Sequence, residues 1–159
     1  MKGGLAALAL WYIISSASIF PHYLAYFNEL IGGPGQGYKY LVDSNLDWGQ
    51  DLKGLKRYMD AHGIARVWLS YFGSASPDYY GITYDYLPSY VLLNSSNVYE
   101  ELLRLDKLPP LRGTVAISAT NLQGVLLPFL GVNKDYFAFY RSQTPVANIG
   151  YSIFIYRFE

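Results

Sequence analysis

The chain of 159 residues carries 12 Lys plus Arg against 12 Asp plus Glu and contains no cysteine. Balanced charge gives no bulk pull toward nucleic acid, so no nucleic acid is expected as a partner. The lack of cysteine excludes disulfides, thiolate nucleophiles and Cys-ligated zinc.

The chain opens with a long uncharged stretch. From Gly3 to Asn28 only His22 titrates near neutral pH, and residues 5–14 are apolar without a break. A helix over residues 3–21 would be about 28 Å long, close to the hydrocarbon thickness of a bilayer. Three readings compete: a transmembrane anchor, a signal peptide cut near Ser15-Ser16-Ala17, and a buried helix of a soluble fold. Trp11, Tyr12 and the serines lie mid-run rather than at its ends, which suits a helix packed against other helices. Lys2 would hold the N-terminus inside, so both membrane readings put the rest of the chain outside the cytoplasm. The expected organisation is a transmembrane helix with an interfacial extension over 1–31, a linker over 32–37 and an extracytoplasmic domain over 38–159. The linker holds Gly32, Gly33, Gly35 and Gly37. It follows an apolar helical stretch rather than a strand, so it reads as a hinge and not as a nucleotide-binding loop.

The domain begins with a weak strand signal over 38–43. Asp47 and Gln50 then match a capping box, opening a helix over 48–62 in which Trp48, Leu52, Leu55 and Met59 form one apolar stripe. Gly63 supplies a stop. A β-branched and aromatic run over 66–72 reads as a strand, so the segment suggests a βαβ unit. Ser76 and Pro77 open a short helix that stops at Gly81. Residues 84–89 read as irregular, and 98–105 as a short amphipathic helix closed by Pro109 and Pro110. Residues 113–120 form a strand of small residues suited to burial on both faces. A helical turn over 136–141 and a closing strand over 151–158 complete an α/β layer domain with a three- to five-stranded sheet. The 17 tyrosines suit carbohydrate stacking, membrane interfaces and protein contacts, and equally a sheet with aromatic faces.

Candidate chemistry concentrates in one block. Asp43, Asp47 and Asp51 recur every four residues, and on a single helix they could hold a hard divalent cation. The capping box favours a capped strand–loop–helix junction instead. A third reading is a polar ligand site, because α/β sheets bind ligands where strand C-termini meet helix N-termini. Asp43, Ser44, Asn45, Asp47, Trp48 and Gln50 are the candidate substrate-binding residues on that reading. No metal, cofactor or catalytic residue is assigned. His22 and His62 have no ligand spacing, His22 reading as interfacial and His62 as a helix-end residue, and serine-nucleophile motifs are absent. Asn94-Ser95-Ser96 forms a glycosylation triplet of the kind common by chance.

Two blocks resemble a known family. Pro21-His-Tyr-Leu-Ala-Tyr-Phe-Asn-Glu-Leu-Ile-Gly-Gly-Pro and Tyr40-Leu-Val-Asp-Ser-Asn-Leu-Asp-Trp-Gly-Gln-Asp-Leu52 are similar to the tail of bacterial multispanning glycosyltransferases. That group includes the dolichyl-phosphate-mannose mannosyltransferases and the aminoarabinose transferases. Shorter stretches beginning at Leu69, Ala116 and Pro145 look like further parts of that tail. The resemblance implies a last transmembrane helix plus a C-terminal extracytoplasmic domain. It also implies sugar transfer from a polyprenyl-phosphate donor at the outer face of the cell membrane. The family's catalytic carboxylate lies in an early loop between its first helices, which this chain lacks, so no catalytic residue carries over. The expected partners are membrane lipid, the polyprenyl-phosphate sugar donor and a multispanning membrane subunit. The alternative is an anchored, non-catalytic domain that binds a glycan or a protein.

Overall fold

A computed structural model describes residues 2–90 and 101–159. The glycosylation triplet at Asn94 and the first part of the helix expected over 98–105 lie outside the described residues. Helix α1 (Lys2–Ser18, 17 residues) comes first. At 1.5 Å per residue it is about 26 Å long. Among the described residues no helix is long and apolar enough to cross a membrane. Pro21, which lacks an N–H and cannot continue a helix, stands just beyond its end. Residues 3–14 of α1 are all exposed, and burial begins only at Ser15 and Ile19. The helix therefore meets the rest of the protein only through its last turns.

The body of the protein is a five-stranded mixed sheet in the order β2-β1-β3-β5-β4. Its strands are β1 (Val67–Ser70), β2 (Tyr84–Tyr86), β3 (Gly113–Ser118), β4 (Ala147–Ile149) and β5 (Ile153–Phe158). β1 runs parallel to both β2 and β3. β5 pairs antiparallel with β3 and β4. The α/β class and the upper bound of the expected strand number are both met.

Side-chain alternation along the strands builds a core on each face. Val115, Ile117, Phe154 and Tyr156 face one cluster with Leu46, Leu87, Leu108, Phe137 and Tyr140. Ala116, Ile153 and Ile155 face the other, with Val67, Leu69, Leu52, Leu55 and Met59. Two short helices, α4 (Ala119–Gln123) and α5 (Ala138–Arg141), follow β3 and precede β4. α5 falls within the helical turn expected over 136–141.

Helix α3 (Leu52–Ala61) buries Leu52, Leu55 and Met59 of the expected stripe against the sheet, whereas Trp48 lies outside the helix and is exposed. Each such side chain contributes about 1.5–3 kcal/mol on burial. Gly63, at φ +63°, follows its end. The expected start at Trp48 is corrected by four residues. Gly49 adopts φ +76°, and a Cβ there would lie 2.8 Å from the Gly73 Cα and closer still to the Tyr71 hydroxyl. That contact holds 48–51 out of the helix. The expected strand over 38–43 is also absent. A short helix, α2 (Pro34–Gly37), runs into turns and then into a 3-10 turn at Asp43–Asn45. The βαβ unit therefore lacks its first strand. β2 lies where an irregular segment is expected, and β4 lies where no element is expected.

Candidate functional site

The block over 43–51 lies over the C-terminal ends of β1 and β3, where open α/β sheets bind ligands. Two contacts hold it there, and a third joins the strand ends beneath it. The Asp43 N–H donates to Thr120 Oγ1 at 2.9 Å, just past β3. The Tyr71 hydroxyl, just past β1, donates to the Gly49 carbonyl at 2.8 Å. The Phe72 N–H donates to Ser118 Oγ at 3.0 Å, tying the two strand ends together.

The six expected site residues separate into two groups. Asp43, Ser44 and Asn45 make the 3-10 turn, with Asp43 at φ +58°, a conformation that Asp tolerates better than most residues. Ser44 and Asn45 are exposed, and Ser44 gives its carbonyl to the Trp48 indole N–H at 3.0 Å. That bond fixes the Trp48 ring, which is 65% exposed, as a flat apolar face beside the block. Gln50 clasps the loop: its Oε1 accepts from the Trp48 N–H, and its Nε2 donates to the Leu46 carbonyl and to Asp51 Oδ2.

Asp47 is not the helix cap that the sequence suggests. Its Oδ1 accepts from the Gly49 N–H at 3.0 Å, an Asx-turn two residues long. The side chain is wholly buried and its Oδ2 has no hydrogen-bond partner in geometric range. Burial lifts the carboxyl to about 7 despite the opposing pull of the Gly49 and Thr120 N–H groups, and the neighbouring Asp51 charge raises it further.

Asp51 stands at the start of α3 without capping it. Its carboxylate turns toward the β4–β5 hairpin instead. Gly150 and Tyr151 there both take positive φ, the geometry of a two-residue type I′ turn. Ser152, next in line, donates to Asp51 Oδ2 at 2.7 Å. Gly150 leaves the room: a Cβ on it would fall within 2.2 Å of the Asp51 carboxyl carbon. Burial raises the Asp51 carboxyl above the usual carboxylate range, against the Ser152 hydrogen bond and the His22 imidazole. His22 Nδ1 lies 3.8 Å from Asp51 Oδ1, and its ring packs edge-on against Tyr151.

A cavity of about 260 Å³ opens at this junction, lined by Pro21, His22, Tyr23, Leu24, Ala25, Gln50 and Asp51. Of the expected site residues only Gln50 lines it. Asp51 carries a sequence signal, its spacing of four from Asp47, but is not among the six expected binding residues. His22 and Ser152 carry no local signal, because folding alone brings them to Asp51. The three aspartates do not share a helix face, and among the described residues no group of three His, Asp or Glu side chains could hold a metal ion.

A second feature ties α1 to the body. Ser15 Oγ donates to Glu29 Oε1 at 2.5 Å and Trp11 Nε1 donates to Glu29 Oε2 at 3.1 Å. The Ser15 hydrogen bond is the main reason that the Glu29 carboxyl sits below its ordinary range. No family model, curated protein or solved structure matches this chain.

Proposed function

We propose that the chain is the membrane-linked C-terminal domain of a glycosyltransferase that draws sugar from a polyprenyl-phosphate-linked donor at the outer face of the cell membrane. The catalytic carboxylate would come from a multispanning membrane subunit, and the domain would help to hold donor or acceptor.

The observation that carries this reading is α1. Leu5, Leu8, Leu10, Tyr12, Ile13 and Ile14 are all exposed, and residues 3–18 contain no charge. Uncharged on every side past Lys2, α1 suits contact with lipid or with other apolar helices, although by itself it is not long and apolar enough to cross a membrane. The exposed apolar surface continues past the helix through Phe20, Tyr23, Tyr26 and Leu30, the last 84% exposed. The Trp11–Glu29 hydrogen bond holds α1 against the segment that follows it. The sugar half of the reading is supported by the resemblance over 21–34 and 40–52, by the free face of Trp48 and by the carboxylate–amide pair at Gln50 and Asp51.

Native membranes washed with alkaline carbonate and probed with an antibody to residues 40–159 test the reading. The chain is expected to stay with the membranes and to be cut by protease added outside intact spheroplasts. Release into the wash, or protection from the external protease, would overturn it.

A further inference from the structure

We infer that the cavity between Pro21–Ala25 and Gln50–Asp51 binds a neutral, hydroxyl-bearing ring, the chemistry of a sugar, free or carried on a lipid. The inference rests on the function proposed above only for the expectation that its mouth lies near a membrane.

The geometry at the cavity floor is selective. Asp51 is only 7% exposed, and its Oδ2 is oriented by Ser152 and Gln50. Its Oδ1 faces His22 Nδ1 across 3.8 Å, too far for a direct hydrogen bond. An oxygen atom about 2.8 Å from each would bridge them at ordinary hydrogen-bond lengths. With the imidazole proton on Nδ1, facing the carboxylate, that oxygen must donate to the carboxylate and accept from Nδ1–H, and a hydroxyl does both. An unprotonated phosphate oxygen can only accept, and the charge of the group would be repelled by the carboxylate. An ammonium can only donate, so it cannot take the Nδ1–H bond. The floor therefore favours a hydroxyl.

The walls suit the remainder of a sugar ring. Pro21, Leu24 and Ala25 offer apolar contact for its C–H groups, and Tyr23 adds an exposed aromatic face steadied edge-on by Phe20. The volume of about 260 Å³ lies just under the range of about 300–1,000 Å³ usual for ligand sites, so it admits a single ring. Gln50 acts as a positioning residue, because its amide is already engaged by Leu46, Trp48 and Asp51.

The test uses the full chain in lipid nanodiscs and saturation-transfer NMR. The probes are methyl glucoside, methyl mannoside, methyl galactoside and methyl phosphate, with a second arm of nanodiscs doped with a short-chain polyprenyl-phosphate glucose. Transfer to at least one glycoside is expected, weakened at least tenfold by His22→Phe and by Asp51→Asn, with none to methyl phosphate. His22→Phe keeps the ring contact with Tyr151 while removing the nitrogen, so it separates loss of the site from loss of the fold. Binding of the doped lipid without the methyl glycosides would identify a lipid-borne ring. Binding of both would identify a site that reads the ring alone. Silence from every glycoside in both arms, methyl phosphate binding, or affinity unchanged in both variants would overturn the inference. Glycoside binding by a chain that washes off membranes would keep this site and remove the membrane reading; retention in membranes without binding would do the reverse.

Discussion

The first thirty residues and the block over 43–51 invert the usual distribution of side chains in opposite senses. The first region exposes nearly every apolar residue from Leu5 to Leu30 and buries Ser15. The second buries the carboxylates of Asp47 and Asp51 and leaves Trp48 in solvent. Exposed apolar surface and buried charge are each unfavourable in an isolated water-soluble protein. Helix α3, between the second region and the sheet, obeys the ordinary rule and hides its stripe. The two exceptions meet at the cavity where His22, from the first region, faces Asp51, from the second. On the proposals above, each inversion has a partner of the matching kind: an apolar phase for α1, and a hydrogen-bonding ligand for Asp51.

The largest expected effect comes from removing the buried charge of Asp47. Burial raises this carboxyl from 3.8 to about 7. Between those values native Asp47 keeps a proton that the unfolded chain has lost, so stability falls as pH rises through the window. The full difference is on the order of 4 kcal/mol. Asp47→Asn keeps an oxygen for the Gly49 N–H and cannot ionise. Urea unfolding of the detergent-solubilised chain is therefore expected to show the variant a few kcal/mol more stable than wild type at pH 8 and little different at pH 4. Parallel stability curves across that range would mean that Asp47 is not buried as a lone carboxylate. The next effect, on the order of 3 kcal/mol, comes from Leu10→Arg, which places a charge on the apolar face of α1. Partition into liposomes is expected to fall about a hundredfold while the urea midpoint of the body stays put. Unchanged partition would show that lipid does not cover α1.

The legible parts of this fold are those fixed by local pattern. Leu52, Leu55 and Met59 announce α3, and the apolar runs around Val67, Val115 and Ile155 announce β1, β3 and β5. The start of α3 was not legible because Gly49 packs on Gly73 and Tyr71, a contact between segments distant in sequence. β2 and β4 have three residues each, too few to show alternation, and pairing with β1 and β5 defines them. The strand expected over 38–43 gave way to turns that carry the chain from α2 onto the β3 end, where Thr120 receives Asp43. The candidate site was half visible. The polar block could be found from its composition, but Ser152 lies 101 residues from Asp51 and joins it only through the Gly150–Tyr151 turn.

The smallest of the three effects tests that last junction. Ser152→Ala removes the donor to Asp51 Oδ2 and leaves Gly150 and the turn intact. A hydrogen bond to a charged group contributes about 2 kcal/mol, and less once the carboxylate is protonated. The stability loss should therefore be greatest where Asp51 is ionised and shrink as the pH is lowered through its titration. Because Ser152 is the strongest influence opposing the burial effect, the Asp51 carboxyl should titrate at still higher pH in the variant, read from its side-chain carbon resonance. An unmoved titration would place the carboxylate elsewhere and detach the cavity floor from the sheet. A moved titration with liposome partition unchanged would show that the two inversions are held separately, joined only where His22 meets Asp51.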